Sequence, residues 1–182
     1  GNIFQQEIAA NGMVKFYEAF SNNTLDFFTF YPTVDQNTAE KNTLLPLGTT
    51  TLSRPITSEK PELQKNVVLI SIESLSAAYM KAYGYEENVT PFLDHLAQKS
   101  LFFINLYATG NRTVRGLEAL TLCIPPTAGE SVIKREKENK NKFTTGSVFK
   151  SKGYSVKYLY GGYSYFDNMK DFYGGNGYEI VD

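Results

Sequence analysis

Tryptophan is absent, and cysteine and histidine occur once each, at Cys123 and His95. A lone cysteine makes no internal disulfide, so Cys123 says little about compartment. A basic excess is also missing. The 18 Lys and Arg against 19 Asp and Glu leave a net charge of −1, which argues against a nucleic-acid-binding domain. No apolar run approaches the roughly 20 residues needed to cross a bilayer. No signal-peptide pattern is visible either, and Gly1 is expected to begin either a processed product or a shortened piece of a longer chain.

What is present starts with length: 182 residues suffice for one domain with a sizeable core. The central stretch runs from Asn66 to Leu122. Val67 to Ile72 is a β-branched, nearly unbroken apolar run, the pattern of a strand covered on both faces in a parallel sheet. In open α/β sheets ligands gather beyond the carboxyl ends of strands, and Glu73 stands at that place. Glu73 has two readings: a cation or phosphate site, or a favourable charge at the start of a helix expected over Ser74–Tyr83. Ser100 to Tyr107 reads as a second buried strand, followed by the small-residue turn Ala108-Thr-Gly-Asn-Arg112. Thr113 then opens a helix expected over Val114–Leu122. A hydroxyl there is either an N-cap or a nucleophile beside helix N–H groups that bind phosphate. Arg112 and Arg115 flank it as candidate contacts for anionic oxygens.

Elsewhere, Phe4, Ile8, Phe16 and Phe20 fall on helical spacing within Ile3–Ser21. From Ser21 to Pro61 the chain is rich in Asn, Thr, Ser and Pro, with aromatics at Phe27, Phe28, Phe30 and Tyr31, and reads as an extended arm. The division is therefore a helix and arm over residues 1–60 and an α/β region over 61–182. Thr90 as N-cap and Pro91 at the first position start a helix that carries His95, read as an ordinary helix residue. Lys134 to Lys142 is a mixed charge run with the pattern of a solvated loop. A helix over Thr145–Lys152, a stop at Gly153 and a strand over Tyr154–Tyr160 continue a βαβ rhythm. The glycine- and aromatic-rich stretch beyond it reads as a loop, in which Phe166, Asp167 and Asn168 suit a polyol or sugar pocket.

Three segments taken together, Asn66-Val-Val-Leu-Ile-Ser-Ile-Glu-Ser74, Val89-Thr-Pro-Phe-Leu-Asp-His-Leu96 and Thr109-Gly-Asn-Arg-Thr113, resemble the lipoteichoic-acid-synthase and phosphoglycerol-transferase branch of the sulfatase-like alkaline phosphatase superfamily. The resemblance covers roughly residues 62–182. It implies a three-layer α/β sandwich with a central, mostly parallel sheet, only partly covered by this chain. It also implies a metal-ligand role for Glu73 and the role of covalent nucleophile and metal ligand for Thr113. The implied cofactor is a divalent metal, Mn²⁺ or Mg²⁺ first and Zn²⁺ next.

The same resemblance implies a phospholipid headgroup donor and a glycan or glycolipid acceptor. It implies a place on the extracytoplasmic side of a bacterial membrane, held through segments outside this sequence. A divalent site needs three or four protein ligands, and only Glu73 and Thr113 are candidates here, so the chain by itself is expected to be catalytically incomplete. In teichoic-acid synthases the loop near Phe166 carries a Trp and an Arg; Phe166-Asp-Asn-Met169 stands in their place, closer to the branch that decorates periplasmic glucans. Cys123-Ile-Pro125 is similar to the formylglycine motif of sulfatases. However, Thr127 replaces the Arg of that motif, and Cys123 follows a helix rather than opening one. Alternatives that stay open are a phosphodiesterase, a phosphoethanolamine transferase or a sulfatase of the same superfamily, and a non-catalytic envelope domain that binds glycan.

Overall fold

The structure, a computed structural model, describes residues 2, 5, 8–21, 27–53, 55, 57–135 and 137–182. The chain divides into two compact units, Gly1–Ile70 and Ser71–Asp182.

The first unit is helical. Helix α1 (Gly12–Ser21) starts where Asn11 Oδ1 accepts from the Met13 amide at 3.0 Å. Ile3 and Phe4 of the expected amphipathic pattern lie outside the described residues, and Phe16 and Phe20 are exposed. The arm expected over Ser21–Pro61 is not extended throughout, because α2 (Phe27–Phe30) and α3 (Gln36–Leu47) interrupt it. Local capping accounts for α3. Asp35 accepts from the Thr38 amide at 3.0 Å and the Thr38 hydroxyl at 2.7 Å, and Gly48 closes the other end in a left-handed conformation.

The second unit holds the core. Its elements are α4 (Pro91–Ala97), α5 (Thr113–Leu122), α6 (Thr145–Ser151), β1 (Lys157–Leu159), α7 (Met169–Gly175) and β2 (Glu179–Val181). Strands β1 and β2 pair in parallel, with Tyr158 opposite Ile180, and α7 connects them, which makes a short βαβ unit. Val114 from α5, Ile133, and Met169, Phe172 and Tyr173 from α7 form the buried cluster. Helix α5 contributes Val114, Glu118 and Thr121, spaced by four and three, so one face of it is inside. The Tyr158 and Tyr173 rings stack at 3.7 Å, and the Tyr173 hydroxyl meets Thr121 Oγ1 at 3.0 Å. Burial pushes the Tyr158 phenol up to about 12 and raises Tyr173 as well, so both remain neutral hydrogen-bonding groups.

Several expectations are corrected. The runs 67–72 and 100–107 form no strand pairing among the described residues, and their apolar side chains are largely exposed. A strand is stable only with hydrogen-bonding neighbours, and the one ladder described is β1 with β2. The helix expected over Ser74–Tyr83 is two 3₁₀ turns, Ala77–Tyr79 and Lys81–Tyr83. Ser76 caps the first, and Gly84 at φ 98° ends the second. The strand expected over Tyr154–Tyr160 shortens to β1, and the aromatic stretch read as a loop contains α7. The Lys134–Lys142 run is no free loop. Asn139 is fully buried, Lys134 pairs with Asp167 at 2.7 Å, and Lys140 pairs with Asp171 at 2.6 Å; Glu136 lies outside the described residues.

Gly146 shows how tightly α6 sits on this core. Its amide donates to the Tyr178 hydroxyl at 2.8 Å, and a Cβ there would fall on the Tyr178 ring. Gly146→Ala is expected to cost about 1–3 kcal/mol through overpacking. Urea denaturation checks this, and an unchanged midpoint would mean that the ring moves aside freely.

Candidate functional site

Thr113 stands at the first position of α5, with Arg112 in extended backbone before it. The preceding turn must pass close to the helix, since a Cβ on Gly110 would come within 2.5 Å of Arg115 Cβ. Thr113 is therefore aimed by a turn that tolerates only glycine at Gly110 and by the burial of its neighbour Val114.

The Thr113 hydroxyl donates to Glu73 Oε2 at 2.9 Å, across 40 residues of sequence. Glu73 lies in a turn with Ser74, whose φ of 56° is left-handed and costly for a residue with a side chain. Ser74 Oγ reaches Glu73 Oε1 at 3.4 Å, so both carboxylate oxygens have a hydroxyl near them. The pair is on the surface side of the core, open to a ligand.

A carboxylate and a hydroxyl side by side make an all-oxygen pair, which suits a hard divalent ion. The fit is partial. Among the described residues no group of three or more His, Cys, Asp or Glu side chains could hold a metal, so further ligands are not supplied there.

A cavity of about 420 Å³ opens on Thr113 and is lined by Arg112, Arg115, Lys134, Phe166 and Asp167 among others. That volume is in the range of small-ligand sites. The five cavity-lining positions singled out from sequence, Arg112, Thr113, Arg115, Phe166 and Asp167, thus come together. Their side chains differ in availability. Arg112 is exposed, with no partner for its guanidinium among the described residues. Arg115 is committed: Nη1 bonds the fully buried Glu118 at 3.3 Å, and Nη2 donates to the Gly129 carbonyl. Asn168 is turned toward the protein, its Nδ2 donating to the Ile133 carbonyl at 3.0 Å.

Lys134 and Glu118 were not singled out from sequence. Lys134 is one cation in a charge run, and only the fold sets it beside Thr113 and Asp167. The Arg115–Glu118 spacing is a helix-surface pattern, but the burial of Glu118, where Ser131 Oγ donates to Oε2 at 2.6 Å, has no local signal. His95 lies apart from this cavity. It lines another of about 480 Å³ with Lys81 and Asp94. Cys123 is at the far end of α5, about 15 Å of helix from Thr113.

These features define a class. The chain belongs to the sulfatase family, whose model matches residues 65–182. It is also similar to the crystal structure of a protein in the alkaline phosphatase superfamily from Vibrio parahaemolyticus. The two share 42% identity with a TM-score of 0.55, over 59% of this chain and 26% of that one. The fold is accordingly the α/β fold of that superfamily, and the chain spans about a quarter of the length of the structure it matches. Members of this superfamily are generally dependent on divalent metals, in keeping with the Thr113–Glu73 oxygen pair.

Proposed function

We propose that Thr113 is the nucleophile of a phosphoester-transferring centre that takes the phosphoglycerol headgroup of a membrane phospholipid and passes it to a glycan or glycolipid hydroxyl. The observation that carries this reading is the Thr113 hydroxyl held by Glu73 at 2.9 Å, at a helix N-terminus, in a cavity with basic side chains. Family membership supports phosphate or sulfate ester chemistry. The finer reading as a phosphoglycerol transferase rests on the resemblance of the 66–74, 89–96 and 109–113 segments.

In the first step Thr113 Oγ bonds to phosphorus while the bond from phosphorus to the diacylglycerol oxygen breaks. The hydroxyl proton, facing Glu73 Oε2, leaves on that side and ends on the diacylglycerol oxygen. In the second step an acceptor hydroxyl attacks phosphorus, the bond from phosphorus to Thr113 Oγ breaks, and the acceptor's proton passes to Thr113 Oγ, which regains its hydroxyl facing Glu73. Arg112 neutralises the non-bridging oxygens. A divalent ion, Mn²⁺, Mg²⁺ or Zn²⁺, held by Glu73 and Thr113 when bound, supplies Lewis-acid stabilisation of those oxygens. A lipid donor and a glycan acceptor set the protein on the extracytoplasmic face of a bacterial membrane. Among the described residues no helix is long and apolar enough to cross one.

The test is mass spectrometry of the full-length gene product incubated with Mn²⁺ and, side by side, phosphatidylglycerol, phosphatidylethanolamine and an aryl sulfate. A phosphoglycerol adduct on the peptide containing Thr113 is expected. An adduct from phosphatidylethanolamine alone would move the assignment to phosphoethanolamine transfer. Turnover of the sulfate without any adduct would move it to hydrolysis.

A further inference from the structure

The cavity beside Thr113 has a second pole that the transfer step does not use. Lys134 Nζ and Asp167 Oδ1 lie 2.7 Å apart in its lining. Their segments are joined by a side chain. Asp167 and Asn168 are consecutive left-handed residues, at φ 52° and 62°, a conformation that Asp and Asn tolerate. Asn168 Nδ2 donates to the carbonyl of Ile133, the fully buried residue before Lys134, and so ties the turn to the Lys134 segment. The pair is thus preorganised on two segments and half open to solvent, with side-chain exposures of 39% and 18%.

An ammonium with protons to spare beside a carboxylate with an oxygen to spare offers one donor and one acceptor in fixed relation. That arrangement matches two neighbouring hydroxyls, one accepting from Lys134 Nζ and the other donating to Asp167 Oδ2. We propose that the Lys134–Asp167 pair selects the transferred alcohol, so that the Thr113 cavity takes phosphoesters of vicinal polyols in preference to esters of alcohols without further hydroxyls. This rests on Thr113 being the nucleophile and adds which end of the substrate is read and by which residues. A headgroup lacking hydroxyls leaves the spare Nζ protons and Asp167 Oδ2 without partners when water is displaced, which works against its binding. The pair is partly exposed and screened by solvent, and Tm is read beside kcat/KM so that a loss of selectivity is separated from a loss of stability.

The experiment uses the full-length gene product with Mn²⁺ and three p-nitrophenyl phosphodiesters, with glycerol, propanol or ethanolamine as the second alcohol. Wild type is expected to favour the glycerol ester over the propyl ester in kcat/KM by at least about 10-fold. Asp167→Asn keeps a residue that tolerates the left-handed conformation, and Lys134→Met keeps the apolar stem. Each is expected to lower that preference about 10-fold, mostly through KM, with at most about a threefold loss on the propyl ester and Tm within about 3 °C. A second readout is calorimetric affinity of Thr113→Ala protein for glycerol 1-phosphate against inorganic phosphate, a difference that Asp167→Asn should erase. Losses that fall equally on glycerol and propyl esters, or an unchanged preference, overturn the proposal. An ethanolamine preference abolished by Asp167→Asn overturns it in favour of ammonium recognition. Absence of turnover and of any Thr113 adduct in wild type is a distinct result, which removes the nucleophile reading and this one with it.

Discussion

Replacing Thr113 by alanine is expected to abolish the covalent headgroup adduct and to lower turnover by on the order of 10⁴-fold, since the attacking hydroxyl is removed. The expectation follows from position. Ser74, the other hydroxyl at Glu73, is 3.4 Å from Oε1 and sits in a turn rather than at a helix N-terminus. Thr113→Ser keeps the oxygen and the Glu73 contact, and should retain within about 10² of wild-type rate while still forming an adduct. Circular dichroism distinguishes loss of chemistry from loss of fold. The Thr113 side chain is not part of the buried cluster, so the alanine variant should unfold at nearly the wild-type midpoint. A Thr113→Ala protein that still acquires a phosphoglycerol adduct elsewhere would remove Thr113 from the mechanism.

The second large effect concerns stability rather than rate. Arg115→Ala would leave the Glu118 carboxylate fully buried with its cation gone, and a broken buried pair costs about 3–5 kcal/mol. The situation is made sharper because Glu118 Oε1 already has no partner among the described residues. The expected result is a large drop in the urea midpoint for Arg115→Ala. Most of it should be recovered when Arg115→Met is combined with Glu118→Gln, which removes both charges while leaving an oxygen to accept from Ser131. If Arg115→Ala instead unfolds at the wild-type midpoint but binds phosphate more weakly, the guanidinium serves the ligand and not Glu118.

How much of this was legible beforehand differs by residue. Glu73 and Thr113 each stand at a clear local signature, a polar stop after an apolar run and a hydroxyl after a glycine turn, but their joint role was implied only by the resemblance of the 66–74 and 109–113 segments. The apolar character of 67–72 and 100–107 was equally plain, but pairing is a property of two segments, and the ladder for these is not made by the described residues. Helix α7 was hidden by Gly174 and Gly175, poor helix formers whose cost is met by burying Met169, Phe172 and Tyr173. Helix α3 was missed although its signals were local: Asp35 before it and Gly48 after it. The charge run misled because Asn139 and Lys140 are bonded to Asp171, some thirty residues on, and no local pattern encodes that distance. The role of Lys134 in the cavity is of the same kind.

Helix α5 has a consequence in time. It is ten residues long, shorter than an isolated helix needs to persist in water, and is held by partners later in the chain. Thr121 bonds Tyr173, 52 residues on. At ribosomal rates of about 5–20 residues per second, roughly 3–10 s separate emergence of the helix from emergence of its brace. During that interval the nascent chain carries Thr113 without the packing that aims it. The Thr113 hydroxyl is therefore positioned only after α7 behind it has been synthesised, and a polypeptide released before Tyr173 would carry Thr113 without its geometry.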